Sequence, residues 1–176
     1  MNVLKRNEKH SRRASAAYKK GHERIEEILD AAEFVFVNEG YRKLTMRQIA
    51  LQAGMTVGNL TYYYATKEAL LQDMLENILR SYLGEMDRAE SRGGDTPVAR
   101  FVAVVEFLIQ DLNTPRTTSL FPELWALANH DEYAAKLMEH MYEEERAVLA
   151  RLIRAANPRL DKDKVAQYAL YVSCSI

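Results

Sequence analysis

Cysteine, proline and glycine are scarce, with one, four and seven copies among 176 residues. A lone cysteine, Cys174, excludes an internal disulfide, and His10, His22, His130 and His140 stand too far apart for a metal-ligand spacing. The low Gly and Pro content excludes collagen-like and low-complexity chains and leaves room for uninterrupted helices. No apolar run approaches the ~18–20 residues that a membrane helix needs. The basic, polar N-terminus lacks the apolar stretch of a secretory signal. The expected compartment is therefore the reducing cytoplasm. No glycine-rich phosphate loop and no nucleophile motif is present, so neither catalysis nor a cofactor or metal is expected.

Hydrophobic residues make up 48% of the chain and charged residues 28%, enough to bury one core or two small ones. The net charge of −1 hides an asymmetry. Residues 1–67 carry 12 Lys/Arg against 7 Asp/Glu, whereas residues 68–176 carry 12 against 18. The first 24 residues alone hold 8 against 2. A basic front on an acidic back points to one end that meets a polyanion.

Strand-like alternation is nearly absent, and the chain reads as all-helical. Residues 1–20 show no sustained apolar face and are expected to form a basic flexible arm. Ile25, Ile28, Leu29, Ala32, Val35 and Phe36 make one buried stripe on a helix from about Glu23 to Asn38, closed by Gly40. Thr45 then caps a short helix, with Gln48 completing a capping box and Leu44 and Ile49 a hydrophobic staple. Gly54 supplies the turn, and Thr56 caps a second short helix ending near Tyr64, with Met55 and Leu60 as its staple. Two short helices joined by Ala53-Gly54-Met55 read as a helix-turn-helix. A long helix follows from Lys67 to about Glu90, and residues 92–95 break it. Thr96-Pro97 starts a fifth helix that is apolar on most sides and is expected to be central. Residues 113–118 are expected to be a loop, with helices over about Ser119–His130 and Glu132–Ala156 and a last one from about Asp161. The final apolar face, Val165, Ala169, Val172 and Ile176, runs on without a capping residue, so the second domain is expected to be incomplete at its C-terminus.

The stretch from Leu44 to Leu70, with Thr45, Ile49-Ala50, Ala53-Gly54, Gly58, Leu60, the Tyr62-Tyr63-Tyr64 cluster and Lys67-Glu68, resembles the DNA-binding domain of the TetR family of bacterial transcriptional regulators. The resemblance covers about residues 22–70. It implies a three-helix DNA-binding domain over residues 21–67 and an antiparallel helical domain for ligand binding and dimerisation over 68–176. It further implies base contacts at Arg47, Val57, Gly58, Asn59, Tyr62 and Tyr63, and phosphate contacts at Thr45, Thr56, Tyr62 and Lys67. Residue chemistry agrees. A helix fits the major groove, helix N-termini suit phosphate oxygens, and an arginine can pair bidentately with guanine. Gly58 carries a helix-propensity penalty of roughly 1 kcal/mol that close backbone approach would explain. Many relatives carry lysine at Val57, tyrosine at Thr61 and phenylalanine at Tyr64. The first two differences leave the second short helix without charge and weaken its phosphate grip.

The resemblance implies a homodimer on a near-palindromic operator and repression released by a small-molecule effector. Large side chains on the later helices, Phe107, Phe121, Trp125, Tyr133, Met138 and Tyr142, are candidates for the pocket. Glu106 joins them because it interrupts an apolar helix, where a buried carboxylate needs a partner. The run Glu143-Glu144-Glu145 reads as a solvated face. Alternatives are a ligand-independent DNA-binding protein, an activator, or a helical interaction protein. With no charge on the second short helix, the arm is assigned the main electrostatic role. Deleting residues 1–20 is expected to flatten the salt dependence of DNA binding more than any single substitution, measured as the slope of log affinity against log salt.

Overall fold

The computed structural model describes residues 3–176, without the side chains of residues 3–20 and of Pro115. Among the described residues there are eight α-helices, one short 3-10 turn and no strand. The helices are α1 (Val3–Glu39), α2 (Met46–Gln52), α3 (Val57–Tyr63), α4 (Lys67–Arg92), α5 (Pro97–Asp111), α6 (Pro115–Ala128), α7 (Glu132–Ala156) and α8 (Lys162–Ser175). No helix of the described residues is long and apolar enough to cross a membrane.

The chain divides into two compact units, residues 1–74 and 75–176. In the first unit α1 buries Ile28, Leu29, Ala32, Val35 and Phe36, the stripe that the spacing predicts. Its helical backbone also takes in residues 3–20, expected to be an arm outside any helix. That stretch has no proline and no glycine, so local propensity favours a helix without apolar periodicity. Its role as a basic arm rests on side chains outside the described residues. Gly40 closes α1 at φ 82°, and a 3-10 turn over Tyr41–Lys43 leads into α2. Leu44, Ile49 and Leu60 are fully buried beneath α2 and α3. The division falls after Met74, inside α4 and past the expected boundary at Lys67. Leu70, Leu71 and Met74 are all buried, which keeps the first turns of α4 in the first unit.

In the second unit the central element is α7, against which α5, α6 and α8 each pack. This corrects the expectation for α5. Only Val104 and Leu108 of α5 are fully buried, while Val98, Val102 and Ile109 remain exposed. An apolar composition makes a helix sticky all round, but neighbours cover only the faces they reach. At 25 residues, about 37 Å, α7 is long enough to meet three partners along its length. Its buried line runs Ala134, Met138, Met141, Glu145, Leu149 and Leu152. The start of α6 is a second correction. Thr114 caps the helix and Pro115 takes its first position, the same Thr-Pro signal that opens α5. The expected loop over residues 113–118 is therefore mostly helical. Arg151 of α7 forms a two-pronged pair with Glu90 of α4, at 2.8 and 2.6 Å, and that pairing holds the Glu90 carboxyl below its usual range.

Gly93, just past the end of α4, lies close against the first turn of α5. A Cβ there would lie 2.6 Å from the Arg100 Cα and 3.0 Å from the Ala99 carbonyl oxygen. Both obstacles are backbone and cannot swing aside. Gly93→Ala is expected to lower stability by about 1–3 kcal/mol through overpacking, read from the midpoint of urea unfolding.

Candidate nucleic-acid interface and cavity

The first candidate site is built by two seven-residue helices, each too short to hold itself. Both start on a threonine oxygen: Thr45 accepts from the Gln48 backbone N–H at 3.2 Å, and Thr56 from Asn59 at 3.1 Å. Only half of the expected capping box forms. The Gln48 side chain donates to Glu39 Oε1 at 3.0 Å, because the end of α1 offers a carboxylate there. Gly54 makes the intervening turn at φ 62°. From beneath, Leu60 is the one fully buried residue of α3. Tyr64 is buried too, and its hydroxyl donates to the Asp73 carboxylate. Burial, then that hydrogen bond, push the Tyr64 phenol far above its usual range and keep it a donor.

With Leu60 as anchor, the remainder of α3 faces outward. Val57, Gly58, Asn59 and Tyr62 are exposed, as are Thr45, Arg47 and Thr56. Tyr62 is 82% exposed, and Tyr63, half-buried, meets it edge to face at 5.2 Å. Thr61 donates its hydroxyl to the Gly58 carbonyl at 3.0 Å. Lys67 places its ammonium 3.9 Å from the centre of the Tyr41 ring, a cation–π contact that steadies it beside Thr66, the cap of α4. A Cβ on Gly58 would meet nothing nearer than the Thr56 hydroxyl at 4.0 Å, so no packing within the unit requires glycine there. All nine predicted DNA-contact residues thus lie within one small unit, seven of them exposed.

The second candidate site is a cavity of about 410 Å³ in the second unit, a volume in the range of small-molecule pockets. Of the predicted pocket residues, Phe121, Trp125 and Tyr142 line it. Trp125 donates its ring N–H to the Tyr142 hydroxyl at 3.1 Å. The other four do not line it. Met138 is buried in the core, Phe107 packs against the core with its ring 6.3 Å from that of Tyr82, and Tyr133 donates to Glu76 at 2.5 Å. Glu106 points to solvent, so no burial penalty calls for a partner. The carboxylate that is buried is Glu145, at 5% exposure, which overturns its reading as part of a solvated run. The Tyr82 hydroxyl donates to it at 2.9 Å. Burial, then the charge of Glu145, push the Tyr82 phenol far above its usual range. Tyr82, Glu145 and Asp111 are cavity residues that sequence reasoning missed. A signal existed for Glu145. It sits four residues from both Met141 and Leu149, on the apolar line of α7, hidden in a run of three glutamates.

Among the described residues no group of His, Cys, Asp and Glu could hold a metal ion. Residues 28–74 match the bacterial regulatory proteins of the tetR family, and residues 97–171 match the C-terminal part of BetI-type transcriptional repressors. An HTH-type transcriptional regulator in the dhlA 5′ region of Xanthobacter autotrophicus is 30% identical over 129 residues, covering 72% of this chain and 64% of that protein. The HTH-type transcriptional regulator BetI of Stenotrophomonas maltophilia is 30% identical over 122 residues, covering 68% of this chain and 62% of its own length. The chain thus spans somewhat under two thirds of these relatives. Among solved structures, a TetR transcription regulator from Haloarcula marismortui shares the fold at TM-score 0.74 and 23% identity, over 88% of this chain and 84% of that one. A transcriptional regulator from Saccharomonospora viridis in complex with choline does so at TM-score 0.71 and 20% identity, over 87% and 83%. The first match ends at residue 74, where the first compact unit ends, and the second lies wholly within the other unit. The chain belongs to the tetR family of bacterial regulatory proteins.

Proposed function

We propose that this protein is a sequence-specific DNA-binding transcriptional regulator, a repressor that works as a homodimer in the cytoplasm and leaves its operator when a small molecule binds the second unit. The observation that carries the reading is the outward face of α3, held from beneath by Leu60 and showing Val57, Asn59 and Tyr62 to solvent. Such a helix fits the major groove, where Asn59 can pair with adenine and Val57 can meet a thymine methyl. Arg47 of α2 is the candidate for a guanine. Thr45 and Thr56 spend an oxygen lone pair on capping and keep an O–H for a phosphate. Exposed Tyr168, Leu170 and Tyr171 on α8 offer apolar surface for a second copy. A two-fold dimer would present two copies of α3 to a palindromic site.

Effector control draws support from the BetI-type match, from the choline bound by a structural relative, and from the cavity lined by Phe121, Trp125 and Tyr142. An effector acts through unequal affinity for the DNA-competent and DNA-incompetent conformations. Catalysis has no part in this reading.

The test is selection of bound fragments from a random duplex pool at near-physiological salt. A two-fold symmetric site is expected, and recovery without sequence preference would sink the proposal. On the selected site, Arg47→Ala is expected to relax preference at one base pair per half-site, at about 1–3 kcal/mol. Equal loss on every sequence would make it a phosphate contact. Gly58→Ala is expected to separate stability from function. The protein should gain about 0.5–1 kcal/mol in thermal unfolding because the added methyl meets open space. Operator affinity should fall as the methyl holds the backbone off the DNA, measured by gel shift.

A further inference from the structure

We propose that Thr61, which lies outside the predicted DNA contacts, is a specificity-determining residue of α3, its methyl group meeting the C5-methyl of one thymine in each half-site. The inference rests on the reading of α3 as the helix that enters the major groove. Thr61 follows Leu60, the buried anchor, and is itself exposed. Its hydroxyl donates to the Gly58 carbonyl at 3.0 Å, inside its own helix. A threonine hydroxyl has one proton to give. Phosphate oxygens, the purine N7 and the guanine and thymine carbonyls all need a donor. A hydroxyl whose proton goes to the backbone has none left for them. The group that Thr61 still has to offer a partner is its methyl.

The surroundings on α3 fit that use. Val57 stands four residues before Thr61, so the two are neighbours on one side of the helix, and Val57 is exposed as well. Gly58, three residues before Thr61, has no side chain to hold a partner surface away. No residue of α3 carries a charge that would favour a phosphate instead. Of the groups on base edges in the major groove, the thymine methyl is the apolar one. Two methyl groups in contact shed water and displace no counterion, so the preference they give does not fade with salt. Adenine and cytosine present amino donors instead, which only the Thr61 oxygen could accept.

The test crosses two side-chain variants of the full chain with single-group changes in the selected operator. Each thymine of the half-site is replaced in turn by deoxyuridine, in both halves together, and affinity is read by gel shift at fixed salt. Deoxyuridine lacks the methyl and keeps every hydrogen-bonding group and phosphate. At one thymine position the replacement is expected to weaken wild-type binding about tenfold over the two halves. Thr61→Ser keeps the hydroxyl and loses the methyl, so the uracil penalty at that position should vanish. Thr61→Val keeps a methyl and loses the hydroxyl, so the penalty should persist. Both variants change an exposed position and leave Leu60 and the helix caps in place. A uracil penalty that is the same in wild type and Thr61→Ser at every position overturns the proposal, as does a half-site without thymine. Loss of affinity in Thr61→Val but not in Thr61→Ser overturns it too and makes the hydroxyl the contact. In each of these cases a two-fold symmetric operator leaves the regulator reading intact. Recovery of fragments without sequence preference sinks both.

Discussion

Every helix from α2 to α8 begins on a side-chain oxygen that accepts a backbone N–H three residues on: Thr45, Thr56, Thr66, Thr96, Thr114, Asp131 and Asp161. The constraint behind this is simple. A helix leaves its first N–H groups without partners, and short helices have few internal bonds to offset them. Each cap contributes ~1 kcal/mol, which matters most for α2 and α3, at seven residues each. Those two helices exist because a threonine starts each one and a buried side chain, Ile49 or Leu60, pins it. The outward residues inherit their positions from these inward ones.

Much of this was legible in the sequence because caps and stripes are local. Thr45, Thr56 and Thr96 all cap as the spacing predicts, and Ile28, Leu29, Ala32, Val35 and Phe36 of α1 are buried as expected. Thr114-Pro115 carries an equally local signal, set in a run of polar residues that reads as a loop. The choice of central helix was not local. Composition favoured α5, yet α7 holds the middle, since burial depends on which faces meet neighbours distant in sequence. The same limit governed the cavity. Phe121, Trp125 and Tyr142 were legible as large side chains, whereas Tyr82 and Glu145 stand 63 residues apart and meet only through folding.

The boundary between the two compact units falls between Met74 and Leu75, in the interior of α4. Leu70, buried in the first unit, and Met86, buried in the second, thus lie on the same helix. The Glu90–Arg151 pair ties the far end of that element to α7, the helix that also carries Glu145.

The absence of charge on α3 has a consequence for how a regulator of this kind would find one site among many. Contacts that displace counterions weaken as salt rises, and they weaken equally on every sequence. Base contacts from Val57, Asn59 and Tyr62, as proposed, would displace almost none. Affinity and discrimination would then be carried by separate parts of one small unit. Rising ionic strength would weaken the general grip on every sequence alike and leave the ratio between operator and random sequence unchanged.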